Sequence, residues 1–257
     1  MANIEYSNDI VNPKVFMAIY GVSGVGKTYA LASLRKNLVI AVENGVLALK
    51  AAGTNTAFVR TSSIAEIKAF ALRAEELLAK DPENAPYETI SIDSVSALCE
   101  EVISKLVNAR TEDIDYLARD FNVERGKIAE GIRDGRMAYS KMGTMLEELL
   151  RFLSNLPHLN VVCVFKQGRV ANDRNVMELA PSIPGKTAVQ NIAYAFDEVL
   201  AIRVVKDQNG APQRQVLTQY DGEYIAKDRS GQLSIIEEPD LQKLMDKIKG
   251  VTNGSKN

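Results

Sequence analysis

The sequence predicts an α/β fold, a mainly parallel sheet flanked by helices, with an antiparallel hairpin extension on its C-terminal side. Three observations carry the prediction. Short apolar runs at residues 14–20, 37–42, 89–93 and 160–165 alternate with amphipathic helical stretches, as in consecutive βαβ units. A glycine-rich turn at residues 21–28 joins the first run directly to a helical segment. After Glu198 the pattern changes to short runs at 199–205, 215–220 and 223–226, separated by the hairpin signals Asn209-Gly210 and Asp221-Gly222.

In chain order, residues 14–20 read as a buried strand feeding the turn, and 29–34 as the helix that follows. Residues 37–42 form a second buried strand ending at Glu43-Asn44-Gly45, and 57–59 a short third. Ser63 and Glu66 have capping-box spacing and open a helix with Ile64, Ile67, Phe70 and Leu77 on one face. Pro82 and Pro86 end it. A strand at 89–93 leads into a helix from Ser94 to about Asn108, and a charged, weakly patterned stretch runs from about 110 to 136. Tyr139, Met142, Leu146, Leu149, Leu150 and Leu153 mark a long amphipathic helix stopped by Pro157, ahead of the strand at 160–165. Loop chemistry, with Pro181, Pro184 and Gly185, dominates 168–186. A short helix at 239–249 ends at Gly250, and 251–257 read as a frayed tail. The expected organisation is an arm (1–13), a main domain (14–238) and a C-terminal helix with a flexible tail (239–257).

With 257 residues the chain is long enough to bury a sizeable core. Its 31 basic and 33 acidic residues leave a net charge of −2, so any polyanion must be met by a local patch rather than a global field. Cys99 and Cys163 lie in apolar surroundings without metal-ligand spacing and read as reduced core residues. His158 follows a proline in a turn and reads as structural. Neither a signal segment nor an apolar run of membrane-spanning length is visible, so a cytoplasmic protein with no membrane partner is expected.

Gly21, Val22, Ser23, Gly24, Val25, Gly26, Lys27 and Thr28 fit the P-loop pattern G-x-x-x-x-G-K-[ST] without a mismatch, and Tyr29 follows. Glycines let such a backbone wrap closely, so that its N–H groups point at a polyphosphate. Lys27 is placed to reach the β- and γ-phosphates, and the Thr28 hydroxyl to hold Mg²⁺. ATP with Mg²⁺ is therefore the expected ligand. Ligands of open α/β sheets bind beyond the carboxyl ends of the strands, where Glu43, Asp93 and Gln167 fall. Asp93, after Ile90 and Ile92, is placed to hold the metal's water shell; a helix N-cap is the competing reading. Ser94 stands where many P-loop ATPases carry a glutamate, so the water-polarising carboxylate must come from elsewhere. Glu43 is the candidate, with a plain turn residue as the alternative, whereas Glu100 and Glu101 lie about two turns along the next helix. Gln167 is a candidate γ-phosphate sensor or an ordinary strand-end glutamine.

Together, residues 21–28, the segment 90–98 (ISIDSVSAL), a glutamate after the second strand and a strand-end glutamine resemble the RecA core. Residues 138–142 (AYSKM), 184–186 (PGK) and 226–229 (AKDR) make the chain similar to small phage RecA-like (AAA-type) nucleotide-binding proteins, including shortened single-strand annealing recombinases. The resemblance spans roughly 14–244. Ala41 departs from it, standing where such proteins often carry an aspartate.

The resemblance implies a RecA-like P-loop ATPase acting on single-stranded DNA, assembled as a homo-oligomeric ring or filament in a bacterial host's cytoplasm. A single-strand-binding protein is an implied partner. It also implies that Lys227 and Arg229, two residues apart at a strand end, reach a neighbouring subunit's nucleotide; from spacing alone two solvated charges fit equally. Two DNA-binding loops are implied at about 121–141 and 168–186. The first carries Arg125, Lys127, Arg133, Arg136 and Lys141, and the second Arg169, Arg174 and Lys186. Acidic residues dilute both, so solvated loops are the alternative. Phe121 and Tyr139 are the few nearby stacking candidates, which favours backbone contact over base readout. Two rival functions remain: a nucleotide switch that assembles or loads a protein partner, and a small-molecule kinase, which the Lys-x-Arg hairpin fits poorly.

Overall fold

Strand β1 (Phe16–Gly21) is buried along its whole length, and its alternating side chains divide the core in two. Phe16, Ala18 and Tyr20 face one cluster, while Met17 and Ile19 face the other. The computed structural model describes residues 13–131, 135–172, 174–185 and 192–250. The other strands are β2 (Asn37–Ala41), β3 (Ala57–Arg60), β4 (Thr89–Asp93), β5 (Asn160–Ala171), β6 (Met177–Ser182), β7 (Glu198–Lys206), β8 (Pro212–Leu217), β9 (Lys227–Asp228) and β10 (Ile236–Glu237). The sheet runs β10-β8-β7-β1-β5-β4-β2-β3, with β6 attached to β5 and β9 to β7. From β3 across to β7 neighbouring strands are parallel. The antiparallel strands β8 and β10 extend the sheet beyond β7. This is the expected α/β architecture, with β5 inserted between the P-loop strand and the strand that carries Asp93.

Helices cover both faces. Helices α3 (Ile64–Lys80), α4 (Val95–Asn108), α5 (Ile114–Phe121), α6 (Arg125–Gly131) and α7 (Gly135–Ser154) bury their apolar stripes in the larger cluster. On the opposite face lie α1 (Lys27–Leu31), α2 (Leu47–Ala51) and α8 (Leu241–Ile248). Helix α8 belongs to the body of the fold: Leu241, Leu244 and Met245 are buried, and Asp246 pairs with Arg35 at 3.1 Å. Cys99 and Cys163 are buried and unpaired, with burial pushing both thiols up. The His158 ring lies 2.5 Å from the buried Glu75 carboxylate, a structural position. Among the described residues no helix is long and apolar enough to cross a membrane.

Several sequence expectations are corrected. Residues 168–171 and 177–182 are strand rather than loop: β5 runs on to Ala171 and pairs with β6 in an antiparallel hairpin. Pro181 obscures this signal, yet it sits opposite Gln167 on an edge strand, where a missing N–H is tolerated. The charged stretch from 110 is largely helical, because Leu117, Ala118, Phe121 and Ile128 still supply a buried stripe. Asp221-Gly222 makes no hairpin; Oδ1 of Asp221 accepts from the N–H groups of Glu223 (3.1 Å) and Tyr224 (2.9 Å) in a local turn. The free edge of β7 is already shared by β9 and β8, which leaves 223–226 only a single bridge, Leu179 to Tyr224. The helix at Ile64 has half a capping box. Ser63 Oγ accepts from Glu66 N, but the Glu66 carboxylate takes the Thr61 hydroxyl. Its buried face holds Leu78, with Leu77 only partly covered.

Tyr20 ties three parts of the chain together. Its buried hydroxyl donates to Leu179 O in the hairpin (2.9 Å) and lies 3.0 Å from Ile225 O in the C-terminal segment. Tyr20→Phe removes this hydroxyl from between the two carbonyls, of which Leu179 O keeps the Ile225 N–H at 2.8 Å, and is expected to cost about 1 kcal/mol. Urea unfolding monitored by circular dichroism measures that loss; an unchanged midpoint would show that the clamp contributes nothing.

Candidate active site

The P-loop leaves the carboxyl end of β1 between two neighbours, with Gly21 opposite Lys166 of β5. A side chain cannot be accommodated at Gly21, since an added Cβ would lie 2.4 Å from Ile202 O. Gly26 turns the loop into α1 at φ 102, in the left-handed region that glycine tolerates. Lys27 curls across the loop, and its Nζ donates to Gly21 O at 2.8 Å and Val22 O at 2.9 Å. Burial lowers its pKa, partly offset by Asp93 and Glu43. Val22, Ser23, Gly24 and Tyr29 are exposed around the loop, whereas Val25 packs into the core.

Asp93 and Glu43 converge beside this lysine. Thr28 Oγ1 donates to Asp93 Oδ2 at 2.6 Å across 65 residues of sequence. Burial raises the Asp93 pKa, the Thr28 hydrogen bond opposes that, and Glu43 raises it further. Backbone pairing carries Glu43 to the same place, because the N–H groups of Val42 (2.8 Å) and Glu43 (3.3 Å) both donate to Asp93 O. Glu43 Oε1 accepts from the Ser94 hydroxyl. Ser94 also caps α4, its Oγ accepting from Ala97 N at 3.2 Å. Thus Ser94, rather than Asp93, is the cap, which removes the competing reading of Asp93. An added Cβ on Gly45 would lie 3.5 Å from Thr28 Oγ1 and 3.9 Å from Asp93 Oδ2, so the Asn44-Gly45 turn also lies against the pair. A hydroxyl and a carboxylate side by side are hard oxygen donors of the kind Mg²⁺ takes. Among the described residues no group of three or more His, Cys, Asp or Glu side chains forms a metal cage. A Mg²⁺ ion here would depend on phosphate and water for its remaining ligands.

Gln167 stands inside β5, half-buried at the base of the β5–β6 hairpin, and not at a strand end. Its neighbour Lys166 is a participant that the sequence reading passed over. Lys166 Nζ pairs with Glu100 at 2.7 Å, and Lys166 N donates to Ser96 Oγ at 2.9 Å. Ser96 Oγ in turn donates to Ser182 O. The first turn of α4 therefore contacts Glu43 through Ser94 and the hairpin base through Ser96. No sequence motif marks Ser96 or Lys166, because only the β1–β5 pairing sets Lys166 beside the loop and only the β4–β5 pairing sets Ser96 beside Lys166.

Lys227 and Arg229 lie at the other end of the sheet. Lys227 is opposite Val199 and Asp228 opposite Glu198, near the start of β7, where Glu198 itself faces Met17 of β1. That is three to four residues, roughly 10–13 Å along the strands, from the P-loop of the same chain. Arg229 pairs with Asp197 at 2.9 Å. Burial lowers the Lys227 pKa, and Arg229 lowers it further. Lys227 opens the two-residue strand β9 and Arg229 follows it, so the pair does not end a strand of normal length.

The cations assigned to DNA separate into two groups. On the helical stretch, Arg125 pairs with Asp115 (2.8 Å), Lys127 with Glu148 (2.8 Å) and Lys141 with Glu130. Arg136 is exposed on α7. Phe121 is 1% exposed and is a core residue, not a stacking surface, while Tyr139 is about half exposed. Arg169 and Arg174 are exposed on the β5–β6 hairpin. Arg133 and Lys186 lie outside the described residues.

A glycine-rich loop, its lysine and threonine, and an acidic residue at the end of a strand two positions away in the sheet define a P-loop NTPase. The family model described as an AAA domain matches residues 14–230, and the chain belongs to that family. No curated protein matches the chain. Among solved structures it is similar to the flagellar accessory protein FlaH from Methanocaldococcus jannaschii, with a TM-score of 0.38 and 11% identity, covering 84% of this chain and 80% of that chain. So distant a likeness carries no inference about this chain.

Glu198 gives a pH prediction. It is buried, its Oε1 accepts from Ser230 N at 3.2 Å, and its Oε2 has no partner among the described residues. Burial first, then the nearby Asp228, raises its pKa from 4.5 to about 8. The folded state therefore holds a proton that the unfolded state releases, so stability falls as pH rises from about 4.5 to 8. Asp228 is held below its ordinary value and titrates beneath this window. Glu198→Gln is expected to flatten the decline and to be more stable than the parent at pH 8.5. Thermal melts at pH 5.5 and 8.5 test it, and parallel slopes for the two proteins would exclude it.

Proposed function

We propose that this protein hydrolyses ATP with Mg²⁺ and acts on single-stranded DNA, in recombination or strand annealing, as a homo-oligomeric ring or filament. The observation that carries the reading is the convergence of Lys27, Thr28, Asp93 and Glu43 at the sheet edge from which the β5–β6 hairpin rises. On this reading Lys27 exchanges the carbonyls of Gly21 and Val22 for the β- and γ-phosphates. Thr28 and Asp93 hold the Mg²⁺, which when bound neutralises charge on those phosphates. Glu43 releases the Ser94 hydroxyl and takes a proton from the attacking water. As the water oxygen bonds to the γ-phosphorus, the bond to the β,γ-bridging oxygen breaks, leaving ADP and phosphate. Gln167, at the hairpin base, links the γ-phosphate to the hairpin.

The remote position of Lys227 and Arg229 supports action on a neighbour's nucleotide, since side chains of that length do not span the sheet to their own. Arg169 and Arg174 are the leading DNA contacts, with a phage origin and a single-strand-binding partner following from the same resemblance. One observation favours a second reading. Arg125, Lys127 and Lys141 are neutralised by neighbouring carboxylates, which suits a nucleotide switch acting on a protein partner. Phosphate binding there requires those pairs to open.

Two outcomes follow. ATP turnover is expected to rise when single-stranded DNA is added, to vanish in Lys27→Ala, and to fall about 10²–10⁴-fold in Glu43→Gln with Mg-ATP affinity retained. DNA that neither binds nor stimulates at low salt would leave the protein-directed switch as the account. The second outcome concerns assembly. Subunits lacking both Lys227 and Arg229 side-chain charges, mixed with Lys27→Ala subunits, are expected to regain activity at interfaces that pair a sound P-loop with sound cations. Co-assembly without recovery would exclude action between subunits.

A further inference from the structure

Strand β8 sends a side chain to the P-loop that the hydrolysis scheme leaves unused. Arg214 stands opposite Val204 in the β7–β8 ladder, and its Nε donates to Val25 O at 3.0 Å, a contact across 189 residues. The guanidinium also lies against Gly26, where an added Cβ would be 3.1 Å from Nε, 3.4 Å from Cδ and 3.6 Å from Cζ. An arginine from the antiparallel extension is thus seated on the loop backbone between Val25 and Lys27.

The consequence follows from peptide geometry. A trans peptide is planar, and its C=O and N–H point in opposite directions. Holding the Val25 carbonyl toward β8 therefore turns the Gly26 N–H away from β8. Gly26 has no side chain to restrain the loop, and at φ 102 it occupies a region that glycine enters and leaves readily. The restraint has to come from outside the loop, and Arg214 supplies it. A charged donor on the carbonyl also polarises the peptide, so the same peptide's N–H becomes a stronger donor.

We infer that Arg214 is a positioning residue of the P-loop: by anchoring the Val25 carbonyl it presents the Gly26 N–H to the phosphates of the bound nucleotide. The inference rests on the nucleotide-binding reading of the loop. On this inference Arg214 acts through the loop backbone rather than on the base or the ribose, so its effect requires the phosphates of the ligand.

Calorimetric binding of ATP, ADP and adenosine tests this, together with the amide resonance of Gly26 in nitrogen-15-labelled protein. Arg214→Ala is expected to weaken ATP and ADP by about tenfold each, as for one lost charge-assisted contact, with adenosine unchanged. The Gly26 amide resonance of the ATP complex is expected to move in Arg214→Ala and to return toward the parent position in Arg214→Lys, whose ammonium still donates to the carbonyl. If Arg214→Ala does not fold, Arg214→Met keeps most of the stem without a donor and carries the same expectation. Unchanged ATP affinity with an unmoved Gly26 amide overturns the inference alone. A loss that extends equally to adenosine also overturns it, by assigning the arginine to the base. A parent protein that binds neither ATP nor ADP overturns the nucleotide reading and this inference together.

Discussion

The parallel ladder between β1 and β5, Phe16 against Val161 through Gly21 against Lys166, is the constraint on which the candidate site depends. Both strands are buried up to Tyr20 against Phe165, so one residue of slip would exchange the side chains meant for the two core clusters. The same ladder fixes where each chain leaves the sheet. The P-loop starts at Gly21 and the hairpin base at Lys166, side by side on one edge. Asp93 arrives from β4 on the far flank of β5, and the β7–β8 extension closes the near flank. A loop of eight residues with several glycines has little stiffness of its own. Its surroundings supply it through Ile202 O against Gly21, Asp93 on Thr28 and Arg214 on Val25.

The two ends of the sheet handle buried charge differently. At the P-loop end, Lys27 sits beside Asp93 and Glu43, and each moderates the cost of burying the other. Opposite charges that are close yet not bidentate suit a site whose ligands exchange partners. At the other end, Glu198 is buried beside Asp197 and Asp228 and keeps its proton up to about 8. The carboxyl there lies under the segment that carries Lys227 and Arg229, and Arg229 already engages Asp197. Any reach of that pair toward another subunit therefore competes with carboxylates in its own chain.

The hairpin and the helical stretch show why a count of cations does not locate a polyanion surface. Arg125, Lys127 and Lys141 are as basic as Arg169 and Arg174, but a folded helical layer sets carboxylates beside the first three. The hairpin projects from the sheet, and its two arginines are exposed. Exposed ion pairs are individually weak, typically under about 1 kcal/mol, so this pairing biases the helical stretch against DNA without sealing it.

The sequence by itself determined the strand–loop–helix of the P-loop, the buried strands that build the parallel sheet, Asp93 at a strand end and the Asn209-Gly210 hairpin. Each is local, since glycine spacing, apolar runs and turn dipeptides act within a few residues of themselves. Only the tertiary structure decided what depended on pairing between distant segments. It put β5 between β1 and β4, continued β5 into a hairpin through Pro181, and shared the edge of β7 between β8 and β9. It set Ser94 on Glu43, moved the Lys227–Arg229 pair to the far end of the sheet, and seated Arg214 on the loop. Such contacts join residues 51 to 189 positions apart, and no local periodicity encodes which strand edge a distant segment will find.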